Sequence, residues 1–178
     1  MTRYVALLRG IAPTNPNMRN DKLRGVFEEL GFANVKTVIS SGNVIFESPS
    51  RRVRKLEESI ENALPKELGF NSSTIIRSQK QVQHLVDKNP FQGMEHSQKS
   101  SLNVTFLKKK RKIDIKFPYI VDNRDYTLLG MYAGAICSVI DLTSAKTPDL
   151  MLWLEKQFGK EITTRTWKTV ERILKAMS

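Results

Sequence analysis

Arg3-Tyr4-Val5-Ala6-Leu7-Leu8-Arg9-Gly10 opens the chain. After a Pro/Asn loop and a helix-patterned segment comes Val35-Lys36-Thr37-Val38-Ile39-Ser40-Ser41-Gly42-Asn43-Val44-Ile45-Phe46. The first run reads as a strand over residues 3–9, and the second as two strands, 35–40 and 43–47, folded on Ser41-Gly42. Between them Leu23, Val26, Phe27 and Leu30 recur at helical spacing over 19–30, with Gly31 as a left-handed stop. A right-handed crossover makes the first two strands parallel, so their C-terminal ends share one sheet edge. That edge collects Arg9-Gly10, the loop 11–17, the helix start and the turn 40–43.

Working outward, the next helix takes Ser48 as N-cap and Pro49 as its first residue. Its stripe is Val53, Leu56, Ile60 and Leu64, and it ends before Gly69. Residues 73–77 supply a fourth strand. The order strand, helix, strand, strand, helix, strand is the ferredoxin-like β-α-β-β-α-β arrangement. Ser78-Gln79-Lys80-Gln81 is a capping box for a short helix carrying Val82, Leu85 and Val86, which Asn89-Pro90 terminates. Residues 1–90 therefore read as an N-terminal ferredoxin-like subdomain with a trailing helix, and the polar, aperiodic 91–100 as a linker.

A C-terminal α+β subdomain fills 101–178. It opens with a strand at 102–107, followed by a basic stretch, 108–118, without a clear period. A strand pair, 126–131 and 132–141, has Gly130 and Gly134 near its turn. Thr147-Pro148 starts a helix bearing Leu150, Trp153, Leu154 and Phe158, capped by Gly159. A short strand at 161–164 precedes a last helix, 166–177, with Trp167, Val170, Ile173, Leu174 and Met177 inward. This order echoes the first half with its first crossover helix reduced or missing, a degenerate ferredoxin-like repeat. The fold class is α+β, in two subdomains.

Composition narrows the function classes. With 40% hydrophobic and 26% charged residues, the chain belongs with globular proteins rather than disordered ones. Lys and Arg number 29 against 18 acids, and a net charge of +11 attracts polyanions. A single cysteine excludes an internal disulfide, and Cys137 in the apolar run 133–140 reads as a buried, inert thiol. His84 and His96 have no ligand spacing to acids or to Cys137, so neither a metal site nor a histidine triad is expected. No phosphate-binding loop or dinucleotide fingerprint occurs, and no cofactor is expected. The apolar run Tyr4-Val5-Ala6-Leu7-Leu8 is closed by Arg9, too short to span a membrane or act as a leader. The expectation is a soluble cytoplasmic protein with no membrane partner.

Arg9, Asn17, Ser40, Ser41 and Asn43 make the candidate binding site. One arginine, several hydroxyls and amides, and a helix N-terminus suit a phosphate or carboxylate. The competing reading is structural: Arg9 bonds loop carbonyls and Ser41-Gly42-Asn43 is turn chemistry. Asp21, the nearest carboxylate, fits a first-turn residue, so no acid–base pair is seen and catalysis is not indicated. Two further basic runs, Arg51-Arg52-Val53-Arg54-Lys55 and Lys108-Lys109-Lys110-Arg111-Lys112, read as solvated surface first and polyanion contacts second. An RNA-recognition sheet needs exposed aromatics on its central strands. Here Tyr4, Ala6 and Leu8 alternate with Val5 and Leu7, leaving both faces apolar and covered.

Leu7-Leu8-Arg9-Gly10-Ile11, Ser41-Gly42-Asn43-Val44, Asn89-Pro90-Phe91 and Thr163-Thr164-Arg165-Thr166-Trp167-Lys168-Thr169 together resemble the bacterial family called domain of unknown function 1697. The resemblance spans essentially the whole chain and implies a two-subdomain α+β fold built from ferredoxin-like units. It brings no activity, substrate or catalytic residue. The sequence departs from the family pattern at the loop after Arg9, usually glycine-rich but here Ala12-Pro13-Thr14-Asn15-Pro16-Asn17. It departs again at Ser40, usually Gln, and at Thr166 and Lys168, usually Asn. The last motif opens the final helix, capped by Thr164 or Thr166, and leaves Arg165 facing away from the helix body. Arg165 then either joins Arg9 in one anion-binding cleft or braces the fold through backbone carbonyls, with Trp167 as core. The functional expectation is non-catalytic binding of an anionic partner, a phosphate-bearing metabolite or nucleic acid. The rivals are an enzyme whose substrate supplies the missing chemistry, and a structural or oligomer-forming module.

Overall fold

A computed structural model describes residues 1–121 and 126–178. The fold is α+β, with two antiparallel sheets and, among the described residues, five α-helices. Two compact units are formed, Met1–Val82 with Arg172–Ser178, and Gln83–Glu171. The sequence pattern sets its division within 91–100; these units instead part inside the helices that come after each sheet's last strand.

In the first unit β1 (Thr2–Leu8), β2 (Ala33–Thr37), β3 (Asn43–Ser48) and β4 (Thr74–Ser78) line up as β2-β3-β1-β4. Every neighbouring pair is antiparallel. With α1 (Asn20–Glu29) and α2 (Val53–Leu68) as crossovers, this is the strand order of the split β-α-β arrangement. Tyr4, Ala6 and Leu8 join Leu23, Phe27, Phe46, Ile60 and Leu64 in one core. Val5 and Leu7, on the other face of β1, are equally buried. The alternation of β1 therefore puts apolar side chains into contact on both sides.

The cap expected at Ser48 does not form. Pro49 disfavours a helical backbone at the residue before it, so Ser48 stays extended and ends β3. The Ser48 Oγ instead accepts from the Ser50 N–H at 3.2 Å, and the Ser50 Oγ accepts from the Arg52 N–H at 3.2 Å. Only then does α2 begin, with Arg52 in the N-cap place. The helix lies along β4, an edge strand whose outward N–H groups need partners. Glu57 Oε1 accepts from the Ile76 N–H at 3.0 Å, and Glu61 Oε1 lies 3.5 Å from the Thr74 nitrogen.

The second unit holds β5 (Ser100–Leu107), β6 (Tyr119–Ile120), β7 (Tyr126–Tyr132), β8 (Ala135–Asp141) and β9 (Ile162–Thr166), ordered β6-β7-β8-β5-β9. The remaining helices are α3 (Gln79–Asp87), α4 (Thr147–Phe158) and α5 (Trp167–Met177). Leu128, Ile136, Ile140, Leu150, Leu154 and Phe158 build this unit's core. Gly130 marks a register shift between β7 and β8 rather than the turn. The turn itself is Ala133-Gly134, both left-handed at φ 50 and 72, as a tight hairpin requires.

The order β7-β8-β5-β9 repeats β2-β3-β1-β4, and the repeat reaches individual backbone bonds. Leu8 N–H donates to Gly42 O at 2.9 Å, and Leu107 N–H to Gly134 O at 2.9 Å. Arg9 N–H donates to Ser73 O at 3.0 Å, and Lys108 N–H to Glu161 O at 3.1 Å. Val5 stands opposite Ile45 and Arg77, and Val104 opposite Cys137 and Arg165. Each last strand closes on an arginine and a hydroxyl cap, Arg77-Ser78 and Arg165-Thr166. Ser78 Oγ accepts from the Gln81 N–H at 3.2 Å, and Thr166 Oγ1 from the Thr169 N–H at 3.3 Å.

Gly42 is where this scheme is tightest. At φ 78, an added Cβ would sit 2.6 Å from Ile11 Cγ1 and 3.1 Å from Leu8 Cβ, whereas one at Gly10 (φ 75) would meet nothing within 4 Å. Urea unfolding should place Gly10→Ala about 1 kcal/mol below wild type, the left-handed cost alone. Gly42→Ala should fall roughly 3 kcal/mol below, with overpacking added. Equal losses would refute the packing argument.

Candidate functional site

The edge at the C-terminal end of β1 brings together the segments that the strand connections call for. Leu7 lies opposite Asn43, Leu8 bonds Gly42, and Arg9 bonds Ser73. Asn20, in the first turn of α1, donates its Nδ2 to Ile39 O at 3.2 Å, tying the helix start to the β2–β3 turn. Antiparallel pairing also carries the start of β4 here: the Ser72 hydroxyl donates to Arg9 O at 2.7 Å. Ser72 and Ser73 carry no motif that marks them in the sequence, although the pairing of β4 with β1 puts the residues before Thr74 beside those after Leu8.

The expected site residues play unequal parts. Arg9 is half-buried, with its N–H and its carbonyl both engaged by Ser73 and Ser72. Ser40 is exposed, and Ser41 is half-buried. Asn43 is buried, and its Nδ2 donates to Val38 O and to Ser41 Oγ, each at 2.9 Å. Its amide therefore shapes the turn that presents Ser40 and Ser41. Asn17 is exposed within a short 3-10 turn, where its N–H donates to Asn15 Oδ1 at 3.0 Å. The N-cap of α1, Arg19, makes no side-chain cap bond, and Asp21 stands in the first turn 3.3 Å from Arg19 Nε. At the far end of β1 the charges are matched instead. Arg3 Nε and Nη2 donate to Glu47 Oε1 at 2.8 and 2.6 Å, and Asn34 Nδ2 donates to Oε2 at 2.8 Å. The bonds from Asn34 and then Arg3 hold the Glu47 carboxyl below its ordinary range.

Arg165 lies in β9 of the second unit rather than at the start of the last helix, because pairing with β5 continues to Thr166. Of Thr164 and Thr166, it is Thr166 that caps the helix. Arg165 is 8% exposed and donates from Nη1 to Thr163 Oγ1 at 2.7 Å and Thr164 O at 3.0 Å. Burial pushes its guanidinium down to about 10. Its counterpart in the repeat is Arg77, whose Nη1 donates to Ile76 O at 3.0 Å. Burial lowers that group too, and the nearby Glu57 charge opposes the shift. Trp167 is buried against Phe91, ring centroids 5.0 Å apart.

Cys137 is buried and its thiol is pushed up to about 12, leaving almost no thiolate at neutral pH. His96 Nδ1 accepts from the Leu102 N–H at 3.1 Å and so braces the loop before β5. Among the described residues no group of three or more His, Cys, Asp or Glu side chains is placed to hold a metal ion. Among them, too, no helix is long and apolar enough to cross a membrane. An open groove of about 360 Å³ runs between α1 and α2, where apolar Val26, Leu30 and Ala63 meet charged Glu29, Lys66 and Glu67. Its mixed charge does not single out an anion.

Residues 1–116 match the family described as "Protein of unknown function (DUF1697)". The chain belongs to the DUF1697 family. The match takes in Arg9, Asn17, Ser40, Ser41 and Asn43, while Arg165 lies beyond it. The solved structure of a conserved bacterial protein from Streptococcus pneumoniae is similar at a TM-score of 0.73, covering 99% of each chain at 21% identity. At that identity the likeness carries the fold alone. No curated protein matches the chain.

Asn43→Ala removes the two donations that hold the turn and leaves the Val38 carbonyl without this donor. Thermal unfolding should show a loss of about 1–3 kcal/mol, with Asn43→Asp at least as costly because a carboxylate cannot donate. An unchanged melting temperature would mean that Asn43 does not shape the turn.

Proposed function

We propose that this member of the DUF1697 family binds a phosphate-bearing small molecule, without catalysis, at the Arg9 edge of its first unit. The observation that carries the reading is a convergence. Backbone and capping bonds tie the Arg9 strand end, the 40–43 turn and the first turn of α1 to one edge, so that Arg9, Ser40 and Ser41 stand on neighbouring segments. A cation on a fixed backbone beside hydroxyl donors and helix amides matches what a phosphate needs, point charge and several short donors at once. Asn17 completes the ligand set from the loop, and Asn43 acts by shaping the turn. Arg165, bonded within its own strand, is left out of this set.

Isothermal titration with inorganic pyrophosphate tests the reading. Wild type should bind, and Arg9→Ala should weaken binding at least about tenfold, the scale of one charge-assisted hydrogen bond. The melting temperature should move by less than about 4 °C, since the side chain of Arg9 is not core. Arg9→Lys keeps the charge and should recover part of the affinity. Absent binding, or equal binding by wild type and Arg9→Ala, would overturn the proposal. An oligonucleotide that competes for the same heat would identify the ligand as a nucleic-acid phosphate rather than a free one.

A further inference from the structure

The repeat gives Arg9 a counterpart at Lys108, but the connections that leave these two residues differ sharply. After Arg9 the chain turns toward the crossover helix α1. After Lys108 it runs on without a helix as Lys109-Lys110-Arg111-Lys112-Ile113-Asp114-Ile115-Lys116. From 112 to 119 burial alternates residue by residue. Ile113, Ile115, Phe117 and Tyr119 pack against the core of the second unit, while Lys112, Asp114, Lys116 and Pro118 are exposed. The segment is thus an extended strap laid on the core. Its start is fixed as well: Lys108 N–H bonds Glu161 O at 3.1 Å, and Lys109 Nζ lies 3.1 Å from Glu161 Oε2.

We propose that this strap, 108–116, is a contact surface for the phosphate backbone of nucleic acid. It carries six cations against one acid, Asp114. Lys110, Lys112 and Lys116 are all exposed, and Lys112 and Lys116 share the outward face, where alternate residues stand about 6.6–7 Å apart in an extended chain. Because inward Ile113 and Ile115 anchor the backbone, these cations lose less freedom on binding than those of a mobile loop. The exposed positions 110, 112, 114 and 116 hold no aromatic to stack on a base and no apolar side chain to enter a lipid layer. The contact is therefore electrostatic and indifferent to sequence, as phosphate contacts are. It involves neither Arg9 nor the β2–β3 turn, so it stands or falls separately from the first proposal.

Fluorescence anisotropy of a labelled DNA duplex across a salt series tests it on the full chain. K110E/K112E/K116E should weaken binding at least about thirtyfold, and the slope of log affinity against log salt should flatten by about 2–3. R51E/R52E/R54E makes the same charge change on exposed positions of the first unit, and should cost less than about threefold with the slope nearly intact. If the glutamate triple fails to fold, K110Q/K112Q/K116Q reads the same loss more gently. Pyrophosphate binding should be unaffected by either triple. Three results would overturn the proposal: no salt-dependent duplex binding, equal losses from the two glutamate triples, or loss of binding to phosphatidylserine vesicles with duplex binding intact.

Discussion

The Leu8 N–H donates to the Gly42 carbonyl at 2.9 Å, at a place where a Cβ on the turn residue would press on Ile11 and Leu8. Gly42 is left-handed and pressed against Leu8 and Ile11, so it closes the β2–β3 turn directly onto the end of the central strand. The bond sets the register of β3, from Leu7 opposite Asn43 to Thr2 opposite Ser48. That register buries Asn43, whose amide pulls Val38 and Ser41 into place. It leaves Ser40 exposed at the mouth of the turn. The second unit uses the same bond at Leu107 and Gly134, which makes it a property of the repeated module rather than of one loop.

The two modules use that shared frame differently. In the first, the strand end carries one arginine, and the connection becomes a helix that covers the core. In the second, residues 112–119 cover the core with alternate side chains, which leaves Lys112 and Lys116 outward. Six of the chain's cations thus fall on 108–116, a stretch that forms no helix. The arginines that close each module, Arg77 and Arg165, belong to the interior. They are bonded to the carbonyl of the preceding residue and held there against the desolvation that burial imposes on a charge.

The topology is legible in the sequence because it rests on short-range signals: the Ser41-Gly42 turn, the glycine stops after α1 and α2, and the capping box at Ser78, whose reciprocal bonds are present. The meeting of Arg9 with the β2–β3 turn comes from strand direction alone. Local chemistry misleads at Ser48, where a good capping residue loses to the demand of the adjoining proline. It misleads again at Arg165, where the start of a family motif reads as the start of a helix while the strand still has partners on β5. The period of 112–119 is hidden because the unbroken charge run 108–112 leads straight into it. The order of the elements shows the repeat, but the residues do not, because what repeats is a set of backbone bonds: Leu8 and Leu107 match, while Asn43 and Ala135 differ. Which polar groups a turn consumes internally, as Asn43 does, is a matter of angstroms that spacing does not carry.

The Arg9 edge is read as a site rather than only as a joint, and everything proposed for the first unit turns on that. A ¹H–¹⁵N correlation spectrum recorded through a titration with inorganic pyrophosphate tests it residue by residue. A binding site there predicts saturable shifts at the amides of Gly10, Asn17, Ser40 and Ser41, rising together to one plateau. Shifts scattered over the basic surface without saturation, or none at these amides, would contradict it.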